Sequence, residues 1–227
     1  MKVAICFSGK FRNNYKKSFE SLKRNYLDKY DCDIYFHSWS DPQQEDVINL
    51  YRPTNFKIDD QIEFDERGLK CNIWSNTSIH NSLSQYYSLR QSFLVVKKSK
   101  NYDFVIRTRF DLNHDNLIYD LNSIDKNVIN LPKWSTCVDP RVCHRGYCDL
   151  FAVGNINNME VYSKIFSNYI YYIFADMEYR NYLLGPDWPG QDSPLRNEYV
   201  VKWHLNKNKI PVNEMDLTTT TLKTIIR

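Results

Sequence analysis

The sequence predicts an α/β domain with a central, mostly parallel, doubly wound sheet flanked by helices, and three observations carry that expectation. Residues 3–7 (VAICF) form a short, nearly all-apolar run ending in Ser8 and Gly9, the pattern of a strand buried on both faces and followed by a loop. Tyr15, Phe19, Leu22 and Tyr26 then recur at helical spacing among lysines and arginines. Residues 33–37 (DIYFH) supply a second strand, so the opening of the chain reads as a right-handed βαβ unit. Ligands of such sheets bind at the carboxyl ends of the strands, which directs attention to residues 8–12.

Further elements follow in order. Val47, Leu50 and Tyr51 mark a short helix before Arg52 and Pro53, and residues 55–58 a third strand. Residues 59–78 read as an irregular surface excursion. Leu83, Tyr86, Tyr87, Phe93 and Leu94 give a longer amphipathic helix, with basic residues 97–100 at the end that suits its dipole. Residues 104–106 are an apolar strand core running directly into Arg107, Arg109 and Asp111. Asn- and Pro-rich loops are expected through Pro140, then a strand over residues 147–153 and a helix carrying Met159, Tyr162, Phe166, Tyr169 and Ile173. Residues 185–194 read as a loop over an active site. Ser193 and Pro194 serve as N-cap and first turn of a helix through Leu205, and a weakly alternating tail follows.

The 227 residues carry 30 basic and 27 acidic side chains, a net charge of +3, with 42% hydrophobic residues. That suits one sizeable core and excludes disorder. Near-balanced charge gives no domain-wide footprint for nucleic acid or an anionic bilayer, so an anion site has to be local. The first apolar run is too short for a secretory leader or a membrane span, and the expected location is cytoplasmic, with any membrane association peripheral. Six cysteines are then expected reduced. Cys137, Cys143, His144 and Cys148 are conceivable zinc ligands, but lack the paired spacing of structural zinc sites. The aromatic fraction, 15%, is high. Helical stripes assign Tyr15, Phe19, Tyr26, Phe93, Tyr162, Phe166 and Tyr169 to the core. Phe11, Trp39, Trp134, Tyr147 and Trp188 fall in loops or at strand ends, where stacking on a base or sugar is expected.

Chemistry concentrates at two strand ends. Ser8, Gly9, Lys10 and Arg12 precede a helix, where backbone N–H groups and cationic side chains suit a diphosphate. Strand alternation places Arg107, Arg109 and Asp111 on one side: two guanidinium forks for phosphate, and a carboxylate that suits Mg2+ or Mn2+ or else closes a structural Arg–Asp pair. There is no P-loop signature and no G-x-G-x-x-G, which disfavours P-loop ATPases and dinucleotide-dependent dehydrogenases. A G-x-S-x-G elbow is missing too, and His37, His80, His114, His144 and His204 show no metalloprotease pairing.

These residues also carry a resemblance. AICFSGKFR at 4–12, FHSW at 36–39, LYRP at 50–53, SQYYSL at 84–89, YDFVIRTRFDL at 102–112, CDLFAVG at 148–154 and EYVVKWHL at 198–205 together resemble a family of small polysaccharide or capsular glycosyltransferases found in bacteria and large DNA viruses. The resemblance implies a single GT-A-like, Rossmann-like domain, with residues 1–112 binding a nucleotide-sugar donor and 113–227 a glycan acceptor. It also implies a divalent metal, Mn2+ or Mg2+. The Asp-x-Asp that holds such a metal reads Arg109-Phe110-Asp111 here, leaving Asp111 as the surviving carboxylate. Arg107 and Arg109 are then expected to neutralise part of the diphosphate charge.

An inverting transfer needs a carboxylate within reach of the acceptor hydroxyl, and Asp149 and Glu198 are the candidates, with Asp192 a weaker third. Two rivals remain open: a sugar-phosphate nucleotidyltransferase, expected to carry a richer glycine loop, and a non-catalytic nucleotide- or glycan-binding module.

Overall fold

A computed structural model of the chain describes residues 1–64, 78–96, 101–117, 119–133, 146–183 and 196–215. In order these form β1 (Lys2–Ser8), α1 (Tyr15–Leu22) running into a π-helical turn (Lys23–Leu27), β2 (Asp31–Trp39), α2 (Gln44–Tyr51), β3 (Asn55–Asp59), α3 (Ile79–Leu94) and β4 (Phe104–Thr108). After a 3-10 turn (His114–Asn116) come β5 (Ile129–Pro132), β6 (Ala152–Gly154), α4 (Ile156–Ser163), α5 (Ile165–Phe174), α6 (Met177–Leu183), α7 (Asn197–Lys207) and β7 (Val212–Met215). The strands make one seven-stranded sheet in the order β3-β2-β1-β4-β6-β5-β7. β3, β2, β1 and β4 are mutually parallel, as are β5 and β7, while β6 runs antiparallel to β4 and β5. This is the expected α/β class: a mostly parallel sheet between helical layers.

Alternation along the central strands builds both faces. Ala4, Cys6 and Val105 pack with residues of α3, α4, α5, α6 and α7, whereas Val3, Ile5, Phe7, Phe104 and Ile106 pack with α1, α2 and the segment after β4. Each fully buried Val, Ile or Phe contributes roughly 1.5–3 kcal/mol of transfer free energy, so a strand buried on both faces needs no polar edge pattern to be fixed. Ser78 caps α3 by accepting from the Asn81 N–H at 3.0 Å, and Asn155 caps α4 by accepting from the Asn158 N–H at 2.9 Å. Arg52, left-handed at φ 46°, ends α2 ahead of Pro53.

The expected strand over 147–153 narrows to Ala152–Gly154, because the Asp149 carbonyl turns aside to accept from an Arg107 guanidinium N–H. The single helix expected across 159–173 is two, broken at Lys164. Within the region read as loop, Ile129–Pro132 pairs with Val212–Met215. The helix expected from Ser193 begins at Asn197, with Ser193 and Pro194 outside the described residues.

Candidate functional site

A cleft of about 590 Å3 opens at the carboxyl ends of β1 and β4. Ser8, Gly9, Lys10 and Arg12 come from the loop after β1, and Arg107 and Arg109 from the end of β4, so all six expected phosphate-binding residues line one cavity. Trp39, at the end of β2, joins them. The opposite wall comes from Gln61 and Glu63 after β3 and from His80, Asn81, Ser84 and Gln85 on α3. Among the described residues charge is strongly biased: Lys10, Arg12, Arg107 and Arg109 face one lining acid, Glu63.

Two polar groups in this wall are buried and unpartnered. Ser8 is 3% exposed and Arg107 is 1% exposed, and neither the Ser8 Oγ nor the Arg107 Nε has a hydrogen-bond partner. Another guanidinium nitrogen of Arg107 donates to the Asp149 carbonyl. A buried donor left unmade costs about 1–3 kcal/mol, more when charged. A ligand presenting anionic oxygens recovers that cost.

The loop after β1 is held from below. Gly9 sits at φ +107°, a conformation that favours glycine, and its N–H donates to the Ser88 Oγ at 2.6 Å. Ser88 lies 2.8 Å from His37 Nδ1, and His37 Nε2 lies 3.2 Å from Asp59 Oδ2. A neutral imidazole accepting from the Ser88 hydroxyl and donating from Nε2 to Asp59 satisfies the chain from strand end to strand end. Burial outweighs the neighbouring carboxylate and holds His37 down to about 4. Lys57 at 2.7 Å and Tyr87 at 3.1 Å complete the Asp59 cluster, and hydrogen bonds from Lys57, His37 and Tyr87 overcome its desolvation to keep it below the usual carboxylate range. One backbone N–H expected to cradle phosphate is thus spent on Ser88. The helix itself begins only at Tyr15, so the loop's cationic side chains, rather than a helix terminus next to Gly9, face the cleft.

Asp111 does not stand open to a cation. Its Oδ1 accepts from Arg109 Nε at 2.9 Å and its Oδ2 from a terminal Arg109 nitrogen at 2.7 Å, with Arg12 Nε at 3.9 Å. Burial disfavours the Arg109 charge, but Asp111 more than compensates and holds the guanidinium above its ordinary value. Among the described residues no group of three His, Cys, Asp or Glu side chains is placed to hold a metal. A divalent ion held by Asp111 would have to displace this guanidinium fork, so the residues present do not fit one.

Asp149 lies directly behind the cleft wall. Since β6 runs antiparallel to β4, with Ala152 opposite Arg107, the residues before β6 return to the carboxyl end of β4. There Asp149 Oδ2 accepts from Gln85 Nε2 at 2.7 Å, and the Gln85 Oε1 accepts from Asn197 at 3.3 Å. Glu198 is on the first turn of α7, half-buried, and is not among the residues lining the cleft. Asp192 lies outside the described residues, as do Cys137, Cys143, His144, Trp134 and Trp188.

Of the rings expected to stack on a ligand, Phe11 is a core residue, edge-on to Phe36 and Phe110 and 4% exposed. Trp39 is stacked on Tyr87 at 5.4 Å, and Tyr147 is half-buried with Lys202 over its ring at 5.3 Å. Sequence reasoning missed the α3 wall. The signal was there: Asn81, Ser84, Gln85 and Ser88 recur at helical spacing beside the apolar stripe of Leu83, Tyr86, Leu89 and Phe93, a polar stripe aimed at the strand ends.

No protein-family profile matches the sequence, and no curated protein matches it. Solved structures similar in outline include a candidate nucleotide-diphospho-sugar transferase from Desulfovibrio desulfuricans G20, at 10% identity and TM-score 0.43 over 95% of this chain and 79% of that one. A glycosyltransferase involved in glycosylating the major capsid of PBCV-1 follows at 10% identity and TM-score 0.37, over 94% and 82%. The glycosyltransferase GlyE of Streptococcus pneumoniae TIGR4 is 12% identical with TM-score 0.39, over 94% of this chain and 44% of that one. All three scores fall below 0.5, too low to transfer a substrate or a residue's role to this chain.

Proposed function

We propose that the chain is a glycosyltransferase moving a sugar from a nucleotide-diphosphate donor to a glycan acceptor. The single observation that carries the donor half is the cationic cleft, with the buried, unpartnered Ser8 Oγ and Arg107 Nε set among Lys10, Arg12 and Arg109. Fork-shaped guanidinium donors match phosphate oxygens. The sugar half rests on the sequence segments quoted above, five of which place residues on this cleft or immediately behind it: Ser8 to Arg12, Trp39, Ser84 and Gln85, Arg107 and Arg109, and Asp149. Polysaccharide assembly in the cytoplasm belongs to the same reading. It accords with the free thiols of Cys6, Cys32 and Cys148, and no described helix is long and apolar enough to cross a membrane.

In this proposal the donor diphosphate lies against Ser8, Arg107 and Arg109, with Lys10 and Arg12 closing over it. An acceptor hydroxyl oxygen attacks the anomeric carbon, and the bond from that carbon to the diphosphate oxygen breaks, its electron pair leaving with the nucleoside diphosphate. The cationic groups stabilise the charge gained by the leaving group. The hydroxyl proton passes to Asp149, whose carboxylate is oriented by Gln85. Glu63, on the cleft wall, is the second carboxylate that geometry offers, and Glu198 is the third.

Incubating the purified chain with a panel of nucleotide sugars and no acceptor tests this. Slow release of nucleoside diphosphate is expected. With labelled pyrophosphate added, formation of labelled nucleoside triphosphate and sugar 1-phosphate instead indicates a nucleotidyltransferase, and binding without either reaction indicates a non-catalytic module.

A further inference from the structure

The geometry points to a nucleoside-diphosphate site that operates without a divalent cation, Arg109 standing on Asp111 in the place where a metal would be held; this rests on the nucleotide-sugar reading above. Mg2+ and Mn2+ bind through free carboxylate oxygens together with substrate phosphate oxygens. Both Asp111 oxygens are taken by one guanidinium fork, at 2.9 and 2.7 Å, in a pair whose side chains are 22% and 8% exposed. The position that would supply a second carboxylate two residues earlier is Arg109 itself. That arginine is a permanent cation anchored on a single strand end, and it lines the cleft while bound to Asp111.

The charge balance agrees. Each phosphate of a nucleotide sugar carries one negative charge, and among the described residues Arg107, Arg109, Lys10 and Arg12 supply four positive ones against Glu63 and the Asp111 paired with Arg109, a surplus of two. Arg107 is the buried member, and among the described residues no carboxylate forms an ion pair with it. A buried guanidinium with an unpartnered Nε already provides what a metal ion provides to a diphosphate, a fixed cation in a water-poor setting. Asp111 is then a positioning residue: it orients the Arg109 fork and neutralises part of its charge when the cleft is empty.

Isothermal titration calorimetry of the intact chain with UDP, GDP, CDP and ADP in turn, first in excess EDTA and then in excess Mn2+, separates the possibilities. The expected result is one nucleoside diphosphate that binds in EDTA with a dissociation constant within about threefold of its value in Mn2+. Binding seen only in Mn2+, or tightened more than about tenfold by it, overturns metal independence while leaving the nucleotide-sugar reading intact. No binding in either condition overturns both. Arg109→Ala should weaken binding in EDTA by about tenfold or more, with circular dichroism confirming the fold; unchanged affinity overturns the role given to Arg109. Should that variant not fold, the wild-type comparison still decides.

Discussion

At the scale of single residues, the site is defined by what is buried and unpaired. Arg107 is held out of water with one nitrogen on the Asp149 carbonyl and Nε on nothing, and Ser8 Oγ is in the same position one strand away. A fold tolerates such groups where a ligand completes them. Asp149 does not line the cleft itself; its carboxylate is one hydrogen bond behind the wall, through Gln85, and its carbonyl holds Arg107. Asp149→Asn keeps the size and an acceptor for Gln85, so it should lower kcat by about 10²–10⁴-fold while nucleotide affinity stays within about twofold. Steady-state kinetics beside calorimetry checks this, and a loss confined to Glu63→Gln would move the proton acceptor to Glu63. The position of Arg107 and Arg109 at the cleft was readable from charges placed directly after an apolar strand. The pairing of Arg109 with Asp111 was left open there, because alternation fixes a side and not a partner.

At the scale of elements, the long and strongly patterned ones were readable and the short ones were not. β1, β2 and α3 declare themselves by an unbroken apolar run or a helical stripe. β5 and β7 have four residues each and exist by pairing with one another, a long-range contact that local composition does not encode. The break at Lys164 has no Gly or Pro to announce it, and the apolar period runs straight through. Nor could the sequence show that β6 reverses, which is what returns Asp149 to the site. The join between Gly146 and α7 belongs to this scale too. The Tyr147 N–H donates to the Glu198 carbonyl at 3.0 Å, and a Cβ added at Gly146 would meet the Glu198 Cβ at 2.5 Å and its carbonyl carbon at 3.0 Å. Gly146→Ala should therefore destabilise the protein by about 1–3 kcal/mol through overpacking, read from urea denaturation, whereas a neutral result would mean that this junction yields easily.

Over the whole molecule, three buried histidines tie the layers together in neutral form. His37 bridges Ser88 and Asp59, His114 bridges Thr108 and Ser21, and His204 bridges Tyr172 and the Val161 carbonyl. Burial holds each down to about 4, below the ordinary 6.5. Between those values the unfolded chain takes up protons that the folded chain refuses. Stability is thus fully present above the ordinary value and falls as the pH drops toward 4, by up to about 1.4 kcal/mol per pH unit for each histidine. Denaturant midpoints measured across that window should decline steeply, and a flat profile would show that these imidazoles charge without unfolding. The aromatic excess divides the same way at this scale: Tyr26, Tyr35, Tyr86, Tyr162, Tyr169, Tyr179 and Tyr199 are buried packing, and among the described rings considered for stacking Trp39 reaches the cleft. A net charge of +3 conceals a cleft lined, among the described residues, by four cations and one acid. The most direct test of what that cleft serves is the acceptor-free incubation with nucleotide sugars. Release of nucleoside diphosphate from one donor, by wild-type protein, is the predicted result; no release from any donor, or conversion of added labelled pyrophosphate into nucleoside triphosphate, would contradict it.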